Sequence, residues 1–487
     1  MRFIDDKSLN RLGFKTLLNR VETLSPYGAE KLKKIKNYLR GQEKELEIEF
    51  FKMETFLEFS EKNRDVVRNI EGVIHRLKNI KNVLNNCLKG NILDDVDFFE
   101  LKVQGMLMQN LDEYLKELPK ELEIFRLNDI KELIEALDPD GERVPTFYVY
   151  DSYSEKLKDI REKKKAIERK IFSSSDLEEI SNLKEERLKV LVEEEQEELE
   201  IRKVLSMEVL KFGELYLENI DKIGNLDFLM AKVKFAQQYG GKRAKISTDM
   251  KISAKKLVNI EVREMLASKG KEFTPIDIEL GSGVTIITGA NMGGKSVALK
   301  TITENLLLFN YGFFVVAEEA EFPIVDFVFF VSDDMQDISK GLSTFGAEIM
   351  KLKEVNIFLE LGTGFVVFDE FARGTNPKEG QKFVKALAEC LNEQKSISLI
   401  TTHFDGVAQA NMNHYEVVGL KNVDFNKLKR KIEISENSMS LIQEYMDYRL
   451  EKTKDSEVPK DALNIAKLIG INEKFANIIL QEYSKED

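Results

Sequence analysis

Apolar residues recur at three- and four-residue spacing through the first third of the chain. Leu9, Leu12, Leu17, Leu18 and Val21 form one such series, and Val73, Ile74, Leu77, Ile80, Val83 and Leu84 another. This is the period of helices with one buried face. Ser25-Pro26-Tyr27-Gly28 and Leu137-Asp138-Pro139-Asp140-Gly141 punctuate it with turn chemistry. From Ser154 to about Phe235 the stripes lengthen: Leu157, Ile160, Ala166, Ile167 and Ile171 mark one long helix. A second runs through Leu188, Leu191, Leu199, Val204, Leu205, Phe212, Leu215 and Ile220. Ser173-Ser174-Ser175-Asp176 between them suits a turn and a helix N-cap, so the segment is predicted to be an antiparallel helical hairpin. In its second arm, Glu193-Glu194-Glu195-Gln196-Glu197-Glu198 reads as a solvated face.

At Tyr239-Gly240-Gly241 the helical pattern stops. Beyond it, short β-rich runs at residues 284–287, 313–316, 327–331, 365–368 and 398–402 alternate with helical stretches. That alternation predicts an α/β domain whose sheet is covered on both faces. The last stretch, from about Asp461, is helical again.

Composition changes the picture in three ways. A chain of 487 residues with 43% apolar content has room for about three domains with their own cores. Charged residues make up 33%, which fits long solvated helices, and the balance of 73 basic and 86 acidic residues gives a net charge of −13. A protein whose main task is to hold a nucleic-acid backbone is usually basic on at least one face. The balance therefore argues against bulk electrostatic DNA binding and leaves a local basic stretch at residues 156–170. Cys87 and Cys390, both in helical context, are expected to be buried free thiols in a reducing compartment. The amino terminus lacks an apolar signal core and no 18-residue apolar run occurs, so a cytoplasmic protein without membrane contact is expected.

The chemistry is concentrated in the second half. Thr288-Gly289-Ala290-Asn291-Met292-Gly293-Gly294-Lys295-Ser296 lies between a predicted strand and a predicted helix and completes the P-loop pattern. Glycines at 289, 293 and 294 let backbone N–H groups approach phosphate oxygens, and the helix start adds unsatisfied donors and a positive dipole end. Lys295 would reach the β- and γ-phosphates and the Ser296 hydroxyl would ligate Mg²⁺. About 80 residues on, Phe365-Val366-Val367-Phe368-Asp369-Glu370 is an apolar strand that delivers two carboxylates to its end. Asp369 would serve Mg²⁺ and Glu370 would position the attacking water. Thr401-Thr402-His403 closes the next predicted strand, where a histidine can sense the γ-phosphate or that water. Asp333-Asp334 and Gly341-Leu342-Ser343-Thr344-Phe345 read as a loop and a helix start. His75 is expected to be a surface or packing residue, and His414 to lie in a polar turn without a role.

TGANMGGKS, DD followed by GLSTF, VVFDE followed by ARGTNPKEG, and TTHF together resemble the ATPase domain of the MutS family, an ABC-type ATPase, over about residues 270–420. The resemblance implies that Gly289, Ala290, Asn291, Met292, Gly293, Gly294, Lys295 and Ser296 bind ATP. It makes Asp369 and Ser296 the Mg²⁺ residues, Glu370 the catalytic carboxylate and His403 the switch histidine. Ser343 and its neighbours would reach the nucleotide of the partner subunit in a homodimer, and Phe273 would stack on adenine. The implied organisation is a helical core domain (1–150), lever helices with a vestigial clamp (151–240), an ABC-type ATPase domain (241–450) and a helical dimerisation element (451–487).

Phe14-Lys15-Thr16-Leu17-Leu18 and GTNPKEG (Gly374 to Gly380) favour the MutS2-like branch. Three departures from the family's full pattern stand beside that agreement: about 140 residues precede the hairpin, leaving no room for the mismatch-reading domain; the clamp is cut to little more than a turn at Ser173 to Asp176; and the small nuclease domain typical of full MutS2 proteins is not expected. Two functions remain. One is an ATP-gated dimer acting on DNA, structure-dependent rather than mismatch-reading. The other is a protein-remodelling ATPase, resembling the ATPase subunit of the reactivase of adenosylcobalamin-dependent lysine 5,6-aminomutase. A degenerate nucleotide scaffold is disfavoured by intact Lys295, Ser296, Asp369, Glu370 and His403.

Overall fold

A computed structural model describes residues 2–289, 293–332, 344–421, 423, 428, 445–453 and 471–483. The chain forms two compact units that are not consecutive in sequence. One comprises residues 22–35 and 52–233, the other residues 1–21, 36–51 and 234–487. The first is helical and the second mixed α/β.

The helices, in chain order, are α1 (Asp6–Arg11), α2 (Phe14–Leu18), α3 (Pro26–Lys33), α4 (Glu43–Lys62), α5 (Arg64–Ile74), α6 (Lys81–Leu88), α7 (Asp95–Leu115), α8 (Lys131–Leu137), α9 (Glu155–Ser173) and α10 (Leu177–Tyr239). In the helical unit, α3 starts where the Ser25 side chain accepts from the N–H of Gly28 and Pro26 takes the first turn, which needs no donor. Asp227 on α10 holds that start in place. It accepts from the N–H of Leu24 (2.9 Å), the N–H of Ser25 (2.7 Å) and the Ser25 hydroxyl (2.6 Å). The fully buried Lys102 of α7 donates to Asp138 (2.7 Å) and to the Tyr150 hydroxyl (2.9 Å), so the turn after α8 is pinned by a paired charge.

The predicted hairpin is present: α9 is capped by Ser154, and three residues separate it from α10. The acidic run of α10 differs from expectation. Glu194 is buried and pairs with Arg161 (3.0 Å) and Lys164, Glu197 pairs with Lys156 (2.6 Å), and Glu198 pairs with Arg161 (2.8 Å). These carboxylates face the basic residues of α9 instead of solvent alone.

In the α/β unit the amino-terminal residues pack on the end of α12 (Lys295–Asn310). Phe3 and Phe14 meet Tyr311 with ring centroids 5.8 and 5.4 Å apart, and the N–H of Tyr38 donates to Asn310 (2.8 Å). Among the described residues ten strands form two sheets: β1 (Lys245–Ser247), β2 (Ile252–Leu257), β3 (Ile276–Leu280), β4 (Gly283–Thr288), β5 (Glu319–Pro323), β6 (Val328–Val331), β7 (Phe365–Asp369), β8 (Ile397–Thr401), β9 (Asn413–Gly419) and β10 (Asp447–Lys452). The smaller sheet has the order β1-β5-β2-β3 and the larger β10-β9-β4-β8-β7-β6, with β4, β6, β7, β8 and β9 parallel. The remaining helices among the described residues are α11 (Ile260–Ala267), α13 (Thr344–Leu361), α14 (Pro377–Asn392) and α15 (Glu473–Tyr483). One core cluster joins Val284, Ile286, Val366, Phe368 and Ile400 of the large sheet to Val384, Leu387 and Ala388 of α14.

Residues 313–316 form no strand among the described elements. Val315 makes one antiparallel bridge to Lys242, and the N–H of Val316 donates to Asn305 of α12 (2.9 Å). The following polar segment, Glu319–Pro323, becomes β5 instead. Cys87 is buried as expected, but Cys390 lies exposed on α14, which corrects the expectation of two buried thiols. Among the described residues no helix is long and apolar enough to cross a membrane.

Candidate active site

Parallel pairing aligns Ile287 of β4 with Thr401 of β8, and Thr401 with Asp369 of β7. The carboxyl ends of three adjacent strands therefore open at one edge, where ligands gather in parallel α/β sheets. Gly289 follows β4 with φ 142°, and Gly294 caps α12 with φ 88°. A Cβ on Gly289 would stand 2.9 Å from Val417, and one on Gly294 2.9 Å from the Tyr448 ring. Both glycines are thus required by backbone conformation and by space.

Lys295 is buried, donates to the carbonyl of Gly289 (2.8 Å) and lies 3.7 Å from Glu370. Burial lowers its pKa, with the Glu370 charge opposing. The Asp369 carboxyl is raised by burial, against hydrogen bonds from Thr401 and Ser296. Both shifts have one cause: the site withholds water from its charges. A phosphate or a divalent cation would restore what the charged forms lack. Gly293 is buried beside them and Ser296 half-buried.

Glu370 adopts φ 50° and Ala372 φ 62°, both in the left-handed region that costs non-glycine residues energy. Thr401 fastens this turn: its hydroxyl donates to Asp369 (2.7 Å) and accepts from the N–H of Glu370 (2.9 Å). Sequence reasoning gave Thr401 no role beyond ending a strand. The Glu370 carboxylate also accepts from Arg373 (2.6 Å). His403 follows β8 with an exposed side chain, its ring tilted 39° to that of Phe404 with centroids 4.4 Å apart. Protein packed against its inner side lowers its pKa, and the nearby Glu370 charge opposes that.

His414 is not in a polar turn. It is buried on β9, with Nε2 2.8 Å from the Thr288 hydroxyl at the end of the P-loop strand. The polar neighbours Asn411, Asn413 and Glu416 concealed a strand that pairs with β4. Phe273 lies half-buried on the segment leading into β3 of the smaller sheet. Ala290, Asn291, Met292, Asp333, Asp334 and Ser343 lie outside the described residues, as do residues 461–470 of the C-terminal helical element.

A parallel α/β domain with a glycine-rich loop at its strand ends is the class that this fold and site define. The family model for MutS domain V matches residues 285–472. The chain is similar to the endonuclease MutS2 of Caldicellulosiruptor bescii, 34% identical over 230 residues that cover 46% of this chain and 28% of that protein. The endonuclease MutS2 of Fusobacterium nucleatum is 35% identical over 246 residues, 48% of this chain and 30% of its own. The DNA mismatch repair protein MutS of Thermus aquaticus is 31% identical over 222 residues, 45% and 26% respectively. The chain thus spans under a third of the length of these relatives. The motif resemblance is thereby borne out: residues 285–472 match MutS domain V, and MutS2 proteins are among the similar chains.

Proposed function

We propose that this chain is an ATP-hydrolysing, ABC-type MutS ATPase that works as a homodimer. The observation that carries the reading is the gathering of Lys295, Asp369, Glu370 and Thr401 at adjacent parallel strand ends. Lys295 would exchange the Gly289 carbonyl for phosphate oxygens, and backbone N–H groups at the start of α12 would share them. Ser296 and Asp369 would hold Mg²⁺, which offsets phosphate charge. Among the described residues no cluster of three or more His, Cys, Asp and Glu forms a metal cage. A Mg²⁺ site completed by substrate phosphates needs none. Glu370, turned toward Lys295 by its left-handed backbone, would orient the attacking water, with His403 beside it. Phe273 would stack on adenine and Ser343 would complete the partner subunit's site. A helical core domain, lever helices and a C-terminal dimerisation element would transmit the cycle, α9 and α10 opening and closing on a partner; α10 is continuous from Leu177 to Tyr239.

The partner we propose first is DNA of a particular structure, in keeping with the names of the relatives. A protein client is the second reading, favoured by the pairing of Lys156, Arg161 and Lys164 with the acidic run of α10, which spends basic charge that a phosphate backbone would need. Steady-state ATPase assays and titration of labelled duplex and branched DNA near 50 and 200 mM salt test both parts. Glu370→Gln is expected to lose turnover by about 100-fold or more and keep ATP binding; unchanged hydrolysis would remove Glu370 from its role. DNA bound at neither salt concentration leaves the protein client.

A further inference from the structure

The turn that aims Glu370 is held from a second side. Glu348 of α13 is 2% exposed, and its Oε2 accepts from the N–H of Ala372 at 2.9 Å. Ala372 is fully buried in its left-handed conformation, and Phe371 is buried beside it. Phe345, Ile349 and Leu352 of α13 pack against the same core cluster. A carboxylate withdrawn from water needs hydrogen-bond donors, and a buried peptide N–H needs an acceptor, so each group here satisfies the other. Two hydrogen bonds therefore bracket Glu370: Thr401 takes its own N–H, and Glu348 takes the N–H two residues on.

We propose that Glu348 is a positioning residue that fixes the left-handed turn at residues 370–372 and thereby sets the aim of the Glu370 carboxylate from α13. The inference rests on the proposed ATPase reading, since it assigns Glu370 the water.

The test compares Glu348→Gln, which keeps bulk and an acceptor oxygen, with Glu348→Met, which keeps bulk and removes the acceptor. In the full chain, Glu348→Met is expected to lower kcat for ATP about 10- to 100-fold with KM and the Kd of a fluorescent ATP analogue unchanged. Glu348→Gln is expected to retain most of kcat. A second measurement needs no activity: trypsin is expected to cut after Arg373 several-fold faster in Glu348→Met than in wild type or Glu348→Gln. Equal kcat for wild type and Glu348→Met, or equal loss in both variants, overturns the proposal, as does unchanged cleavage after Arg373. Wild-type protein that does not hydrolyse ATP overturns the ATPase reading instead, and the proteolysis comparison then still reads the grip of Glu348 on the turn.

Discussion

The strand-end site and the α9–α10 hairpin use the same residue types to opposite ends. In the hairpin, Arg161 is shared among Asp151, Glu194 (3.0 Å) and Glu198 (2.8 Å). Burial alone would raise the Glu194 carboxyl, but hydrogen bonds from Lys164 and Arg161 more than offset it, and its pKa falls below the ordinary value. At the strand ends burial prevails. Lys295 is held low and Asp369 high, and the Lys295–Glu370 pair spans 3.7 Å. Charges with partners stabilise a fold, whereas charges kept dry and incompletely compensated are prepared for a ligand that supplies the missing charge. The two regions thus differ in the direction of the carboxyl shift, down at Glu194 and up at Asp369.

Replacing each cation by methionine breaks this comparison most directly. Lys295→Met is expected to weaken nucleotide binding by about 10- to 100-fold, the worth of a charge-assisted phosphate contact. It should leave the Tm of the ligand-free protein unchanged or raised, because a poorly compensated buried cation is replaced by an apolar chain of similar length. Arg161→Met is expected to do the reverse. Nucleotide binding stays within twofold, and stability falls by about 1–3 kcal/mol as the buried Glu194 loses a partner, read by denaturant unfolding. A destabilised Lys295→Met protein would erase the distinction.

A third experiment sharpens it through pH. Glu304 of α12 is 1% exposed, accepts from Asn259 (2.9 Å) and the N–H of Ile260 (3.1 Å), and is pushed up to about 8 by burial. The Ile260 hydrogen bond and the charges of Arg20 and Arg263 oppose that shift, and Glu261 adds to it. Its folded pKa exceeds the ordinary 4.5, so the folded state binds the extra proton. The stabilisation is full below pH 4.5 and lost as pH rises through about 8. The Tm is expected to decline across that window in wild type and to decline less in Glu304→Gln. The smallest effect belongs to the rim of the hairpin: Lys156→Ala, which removes an exposed partner of Glu197, should leave the Tm unchanged within error.

Local chemistry determined much of this protein from its sequence. The change from helical to strand periodicity after Tyr239, the turn at residues 173–176 and the motif strands at 284–288, 365–369 and 397–401 were readable because each rests on near neighbours: apolar period, a capping serine, a glycine at positive φ. Residues 313–316 misled because a buried loop is as apolar as a strand, and Glu319–Pro323 was overlooked because a five-residue strand that mixes Glu319 and Glu321 with Phe322 and Pro323 carries no clear period, although it lies between β1 and β2. Tertiary structure alone decided the rest. It set Thr401 and Glu348 on the two amides around Glu370 and His414 on Thr288, and it brought residues 1–21 into the α/β unit. It also turned the acidic run of α10 onto the cations of α9. None of these partners is fixed by spacing along the chain: strand register and helix packing choose them, and both depend on contacts between residues distant in sequence.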